Sequence, residues 1–313
     1  IYGTDLYRKE LVIQHIKNIE KIEDCKELVF PKFDSPEVSV IIPVYNEFSF
    51  TYNCLRSILE AGDKSSYEII VADDCSNDLT MQILSIVKNI KVVKTEKNEK
   101  FLGNCNNAAK VAEGKYIFFL NNDTQVQSDW LDAQVRLMHK NPDIGMTGSK
   151  LIYADGRLQE AGGIIWKDGV AWNYGNRQDP YAPEYNYVKE VDYISGAAIM
   201  IRTELWKKIG GFDERYAPAY CEDSDLAFEV RKAGFRVVYQ PLSVVVHFEG
   251  VSNGTDTKEG IKKYQVENSY KLYEKWKNEL ENKEVSQNKA FQYRERSQNK
   301  KKWSKIRITT QKS

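Results

Sequence analysis

The chain has 313 residues, 42% of them hydrophobic and 29% charged, the balance of a globular protein with one large α/β domain or two smaller ones. Forty-five Lys or Arg offset 45 Asp or Glu, and a net charge of zero excludes a generally basic nucleic-acid binder. The longest apolar runs, residues 38–45 and 194–201, are strand-sized and far short of the ~18–20 residues a membrane helix needs.

Residues 1–36 carry Leu11, Ile13, Ile16, Ile19 and Ile22 at roughly helical spacing and stop at Phe30-Pro31 and Ser35-Pro36, so a helical extension or linker is expected. The first residue is Ile1, and no leader is visible, so the chain is read as part of a longer protein, with a further domain upstream. Residues 38–45 read as a buried strand, 48–60 as a helix, and 67–73 as a second strand. Asp78 suits the start of a helix reaching to about Lys88; a strand at 90–95, a helix at 103–113 and a strand at 116–120 follow. Strand and helix alternating at this spacing predict parallel pairing with crossover helices on both sheet faces. Farther on, a helix is expected near 128–139, strands at 144–152, 191–202, 235–239 and 244–248, and helices at 204–209, 222–233 and 258–283. Residues 37–257 thus form one α/β domain, followed by a C-terminal helix and a basic tail over 258–313. Five scattered cysteines, Cys25, Cys54, Cys75, Cys105 and Cys221, show no C-x-x-C spacing and read as free thiols in a reducing compartment.

Ligands of such sheets bind where the strands end, and here those ends are polar: Pro43-Val-Tyr-Asn-Glu47, Asp73-Asp74-Cys-Ser-Asn-Asp78 and Asn121-Asn122-Asp123-Thr124. Each alone is also ordinary turn chemistry, but three at one edge favour a site. Asp123, a carboxylate beside two amides, suits a hard divalent cation that also binds substrate phosphates. His247 is a strand-end core residue unless the fold brings it to Asp123, in which case carboxylate plus imidazole suits Mn²⁺ or a similar ion. The acids Glu222, Asp223 and Asp225 are either first-turn partners of a helix dipole or a general base. A carboxylate-pair hydrolase would also want such acids, but the polar, nucleotide-like first half points to group transfer from a phosphorylated donor.

Five motifs in order, Val38-Ser-Val-Ile-Ile-Pro-Val-Tyr-Asn46, Val71-Ala-Asp-Asp-Cys-Ser76, Leu120-Asn-Asn-Asp-Thr124, Gly210-Gly-Phe-Asp213 and Glu222-Asp-Ser-Asp-Leu226, resemble family-two glycosyltransferases of the GT-A fold. The likeness covers about residues 37–255 and is strongest to the bacterial, rhamnosyltransferase-like branch that builds surface polysaccharide. The resemblance implies a Rossmann-like, mostly parallel central sheet with helices on both faces and flanking helices. It also implies an inverting hexosyltransferase using a UDP- or dTDP-sugar, with Mn²⁺ or Mg²⁺ as cofactor and a glycan or lipid-linked glycan as acceptor. By the same likeness Pro43, Tyr45, Asn46 and Glu47 flank the base, Asp74 accepts from the pyrimidine N3–H, and Asp73 supports it. Gly103, Asn104 and Asn107 line the nucleotide pocket, Asn122 lies near the ribose or phosphates, Asp123 and His247 hold the metal, and Gly196 and Ala197 face the donor sugar. Asp223 is the implied base and Glu222 lies on the acceptor side. Asn121 and Asn122 depart from the family's usual acids, leaving one carboxylate for the cation.

Residues 151–193 hold eight aromatics, and Trp166, Trp172 and Tyr174 are expected to form an acceptor platform, with core packing as the alternative. Two other functions compete. A sugar nucleotidyltransferase would carry a Gly-rich basic opening loop, which Pro43-Val-Tyr-Asn46 replaces. A non-catalytic sugar-nucleotide-binding module would suit the Asn-Asn-Asp departure, but Asp223 and His247 argue against it. The neutral total is uneven: residues 283–313 hold ten Lys or Arg against two Glu, so the remainder carries −8. A negative body that binds a diphosphate needs a cation. The tail is expected to be a solvated end or a contact with anionic membrane, on a protein placed in the cytoplasm or at the inner face of the membrane.

Overall fold

The computed structural model describes residues 11–14, 16, 19, 21–249 and 264–281. Ahead of the main sheet, residues 11–14 are irregular, Ile22–Asp24 form one 3₁₀ turn, and a two-residue strand follows, β1 (Leu28–Val29). The helix expected within 1–36 is therefore absent from the described part of that segment. Its backbone groups are taken by tertiary partners instead. The Val12 and Gln14 N–H groups donate to the Gln127 and Gln125 side chains, both at 3.0 Å. Residues 1–10 lie outside the described residues.

The first half then alternates as the apolar pattern dictates. It runs β2 (Val38–Val44), α1 (Phe48–Ala61), β3 (Tyr67–Asp73), α2 (Thr80–Ser85), β4 (Val87–Lys88), β5 (Lys91–Lys94), α3 (Lys100–Ala108) and β6 (Tyr116–Leu120). All seven residues of β2 are buried, so both faces of the sheet are covered. Helix α2 is shorter than expected because the chain leaves it at Val87 to pair β4 with β1. The second half contributes β7 (Thr124–Val126), α4 (Trp130–Lys140), β8 (Ile144–Ile152), β9 (Leu158–Glu160), β10 (Gly163–Ile165), β11 (Ala171–Asn173), β12 (Lys189–Glu190) and β13 (Ala198–Arg202). It continues with α5 (Thr203–Ile209), α6 (Glu222–Lys232), β14 (Arg236–His247) and α7 (Tyr264–Glu281). The strands expected at 235–239 and 244–248 are one strand, β14, with a register shift between Gln240 and Val244 around Pro241.

The principal sheet has the order β12-β14-β8-β13-β6-β2-β3-β5, with β7 paired to β14 and β9 to β8. Strands β5, β3, β2 and β6 are mutually parallel, and β14 is parallel to β8. Strand β13 runs antiparallel to both β6 and β8, and β12, β7 and β9 also pair antiparallel, so the sheet is mixed: its first half is parallel as expected, and its second half, β14 and β8 apart, is not. On one face Val38, Val40, Ile42 and Val44 pack with Leu55, Ile58, Trp130 and Leu131 from α1 and α4. On the other, Ile41, Ile70 and Phe119 pack with Leu102, Trp206, Leu226, Leu272 and Trp276 from α3, α5, α6 and α7. This α/β layering leaves the carboxyl ends of β2, β3 and β6 opening on one edge, where the loops gather.

Candidate active site

That edge opens into a cleft of about 420 Å³. Pro43, Val44, Tyr45, Asp74 and Asn104 line one part of it, residues 121–123 and His247 another, and Gly196, Ala197, Glu222 and Asp223 a third. The polar strand ends expected to form a site do converge.

At the first end Asp74 organises the chain around it. Its Oδ1 accepts from the Glu99 N–H at 2.7 Å and the Thr95 hydroxyl at 2.8 Å, and its Oδ2 accepts from the Lys100 N–H at 2.8 Å. A carboxylate has about four acceptor positions, so one is left on this cleft-lining residue. Asp73 is buried outside the lining and accepts from the Ser76 N–H at 3.2 Å, steadying the same loop. Asn104 donates to the Ala72 carbonyl at 2.7 Å, while its buried Oδ1 lacks a protein partner. Asn46 and Glu47 lie outside the lining, in consecutive left-handed conformations at φ 58°, and form the turn from β2 into α1. The turn is held by the Asn46 N–H donating to Ser76 Oγ at 2.7 Å and by Asn46 Oδ1 accepting from the Asn77 N–H. Gly103 and Asn107 are not among the cleft residues; on α3 it is Asn104 and Phe101 that are turned inward, and Asn107 accepts from Lys110 at the surface.

In the middle, β14 runs antiparallel to β7 with His247 opposite Thr124, which brings His247 Nε2 to 3.2 Å from Asp123 Oδ1. Gln159 Oε1 lies 3.1 Å from His247 Nδ1. An amide oxygen only accepts, so Nδ1 carries the proton and Nε2 is the atom turned to Asp123. Burial pulls the His247 pKa down, but the Asp123 carboxylate, together with Glu249 and Glu160, offsets it, and the net shift is upward. Asn122 is held by donating to Thr51 Oγ1 at 3.1 Å. One carboxylate and one imidazole beside an open cleft fit a cation that keeps further positions for phosphate oxygens and water. A second acidic group, Asp63, Asp129 and Asp132, lies elsewhere. Asp63 and Asp132 already accept backbone N–H groups from the start of α4 and from Lys64 and Ser65, a structural use.

At the far end α6 starts with three acids. Asp223 Oδ2 accepts from the Gly196 N–H at 3.0 Å and Oδ1 from the Ser224 N–H at 2.6 Å. Burial pushes the Asp223 pKa up, opposed by these two N–H groups, and the net is upward; burial and the Asp223 charge push Glu222 up as well. Asp225 is turned away, accepting from Trp276 Nε1 at 2.6 Å, Tyr216 OH at 3.0 Å and Lys275 Nζ at 2.9 Å, which fastens α7 to α6. From α7, Asn268 donates to the Tyr216, Ala219 and Tyr220 carbonyls, shaping the loop before Asp223.

The aromatic platform is not assembled. Trp166 is buried, Tyr174 packs edge-on against Tyr185 at 5.2 Å, and Trp172 is exposed outside the cleft. Side chains alternate along β11, so Ala171 and Asn173 face inward and Trp172 does not. Tyr193 and Tyr220 line the cleft instead. Sequence reasoning also missed Gln159, Lys100, Phe101, Gln265 and Ser269, all of which line it. Nothing in the sequence marks Gln159-Glu160, two polar residues whose burial in a three-residue strand only the fold reveals.

The α/β layering, with strands of a mixed sheet ending on this cleft, is a GT-A fold. A solved structure described as GalNAc-T7 with UDP, GalNAc and Mn²⁺ superposes with TM-score 0.61 at 17% identity, over 82% of this chain and 54% of that one. Residues 39–210, more than half of the chain, match the family described as glycosyl transferase family 2, and the chain belongs to that family. It is similar to an uncharacterised Sinorhizobium fredii protein, y4gI, at 28% identity over 80% of this chain and 28% of that protein. It is also similar to the Myxococcus xanthus O-antigen biosynthesis protein RfbC, at 27% identity over 79% of this chain and 20% of RfbC. The chain thus spans less than a third of the length of these curated relatives. Among the described residues no helix is long and apolar enough to cross a membrane.

Proposed function

We propose that this chain is an inverting, metal-dependent glycosyltransferase domain that moves a sugar from a UDP- or dTDP-sugar to a glycan hydroxyl in bacterial surface-polysaccharide synthesis. The observation that carries the reading is the placement of Asp223, fixed by the Gly196 N–H, in the cleft that also holds Asp123 and His247. Asp74 keeps an acceptor position for a pyrimidine N3–H, and Tyr45 and Pro43 flank the base. Asp123 and His247 would hold a divalent cation, Mn²⁺ or Mg²⁺, which when bound neutralises charge on the diphosphate. Among the described residues the charged lining apart from Lys100 and His247 is acidic, namely Asp74, Asp123, Glu222, Asp223 and Glu249, so a diphosphate there has need of that neutralisation.

Asp223 takes the proton of the acceptor hydroxyl as its oxygen bonds to the anomeric carbon. The bond from that carbon to the diphosphate breaks on the opposite face, its electron pair leaving with the nucleotide. One displacement inverts the centre and needs no enzyme nucleophile. An upward pKa suits this base, since proton transfer is most effective when the pKa approaches working pH. Glu222 lies on the acceptor side. The relative named for O-antigen biosynthesis supports the polysaccharide context, and the UDP and Mn²⁺ of the structural neighbour support the donor and ion.

The test is a thermal-shift and turnover screen of UDP-, dTDP- and GDP-sugars with and without Mn²⁺. The expected result is Mn²⁺-dependent stabilisation by UDP or dTDP compounds and release of the matching diphosphate. Stabilisation by GDP-sugars alone, or binding with no turnover for any acceptor glycan supplied, contradicts it. The membrane role of residues 283–313, which lie outside the described residues, is tested separately by liposome binding with and without that tail.

A further inference from the structure

Strand β9 ends in Glu160, fully buried, with a role that neither the donor contacts nor the base accounts for. Its Oε1 accepts from the Ser195 N–H at 3.0 Å. The next N–H along the chain, that of Gly196, donates to Asp223 Oδ2 at 3.0 Å. Two successive amides of one turn are thus held by two carboxyl groups from different elements, one on β9 and one on α6. The turn precedes β13, which begins at Ala198, and is closed by the Ala198 N–H donating to the Ser195 carbonyl at 3.3 Å; the two carboxyl groups hold the amides that this closure leaves. The second oxygen, Oε2, is buried without a hydrogen-bond partner. A carboxyl group kept in such surroundings is costly, and an apolar side chain would pack there more cheaply unless the acceptor were needed.

We propose that Glu160 is a positioning residue for Asp223, setting the Ser195–Gly196 turn so that the Gly196 N–H meets the carboxylate of the base. This rests on the reading of Asp223 as the base. The function needed from position 160 is a hydrogen-bond acceptor in the correct place. Glutamine supplies one and methionine, of similar volume, does not.

The experiment compares wild type, Glu160→Gln and Glu160→Met by two measurements. The first is amide hydrogen exchange over residues 191–199. The second is Mn²⁺-dependent UDP release from UDP-N-acetylglucosamine, with UDP affinity measured by titration. In Glu160→Met, exchange at Ser195 and Gly196 rises by about tenfold or more. Its kcat falls by about 100-fold, the scale of a misplaced catalytic group, while UDP affinity stays within about twofold. Glu160→Gln recovers protection and most of the rate. Unchanged exchange in Glu160→Met, a loss confined to UDP affinity, or Glu160→Gln as slow as Glu160→Met overturns the proposal. The exchange measurement needs no substrate. A wild type inert toward this donor removes only UDP-N-acetylglucosamine as its substrate and leaves the functional reading to the screen of sugar nucleotides, while exchange still decides the role of Glu160.

Discussion

His247 Nε2 stands 3.2 Å from Asp123 Oδ1 because the last residue of β14 lies opposite the first of β7. Two groups far apart in the chain become neighbours by strand register, and Gln159 fixes which imidazole nitrogen is presented. In the proposed function this pair would supply what the Asn121-Asn122-Asp123 sequence lacks, a second ligand beside a single carboxylate.

Metal and nucleotide binding should therefore fail together when either ligand is lost. His247→Ala and Asp123→Asn are expected to abolish the gain in UDP affinity that Mn²⁺ confers on wild type, measured by calorimetric titration. Gln159→Ala should weaken Mn²⁺ affinity by about 10–100-fold, the usual effect of removing a partner that orients a ligating histidine. UDP binding equally Mn²⁺-dependent in His247→Ala would remove His247 from the site.

Asn268 should matter to stability and to catalysis. Its amide serves the carbonyls of Tyr216, Ala219 and Tyr220. In Asn268→Ala buried acceptors lose their donor, a cost of about 1–3 kcal/mol in urea unfolding. Turnover should fall further than the folded fraction does, because the loop leads directly into α6 and Asp223. A stability loss with full turnover per folded molecule would limit Asn268 to a structural role.

Glu160 predicts a sign for pH dependence. Burial raises its pKa to about 8 from an ordinary 4.5, the Ser195 N–H lowering it in part. A raised carboxyl binds its proton more tightly in the folded state, so its contribution is complete below about pH 4.5 and is lost as pH rises toward 8. Between pH 5 and pH 8, wild type should lose more unfolding free energy than Glu160→Gln, measured by urea titration at each pH. Parallel profiles for the two proteins would contradict this.

Much of the architecture was legible because burial leaves a plain trace. The continuous apolar runs of β2 and β6 could hardly be other than covered strands, and the acids opening α6 marked its start. What was not legible depended on partners distant in sequence. The apolar spacing of Leu11, Ile13, Ile16, Ile19 and Ile22 suggests a helix, yet Gln127 and Gln125 claim the Val12 and Gln14 N–H groups. The aromatic density of 151–193 suggested a sugar platform, but the side-chain alternation of β11 turns Trp172 out and Asn173 in. Asp123, Asp223 and His247, which the fold brings to one cleft, were singled out through motif chemistry and family resemblance. Gln159 and Glu160 were not, since their value lies wholly in what they touch.

The central claim is that Asp223 removes the acceptor proton. Asp223→Asn keeps size and can still accept from the Gly196 N–H, but it is a far weaker base. UDP affinity in Mn²⁺ and diphosphate release with acceptor should be measured on the same preparation. The account predicts affinity within about twofold of wild type and turnover lower by about 10²–10⁴-fold. Turnover within about tenfold of wild type would contradict it.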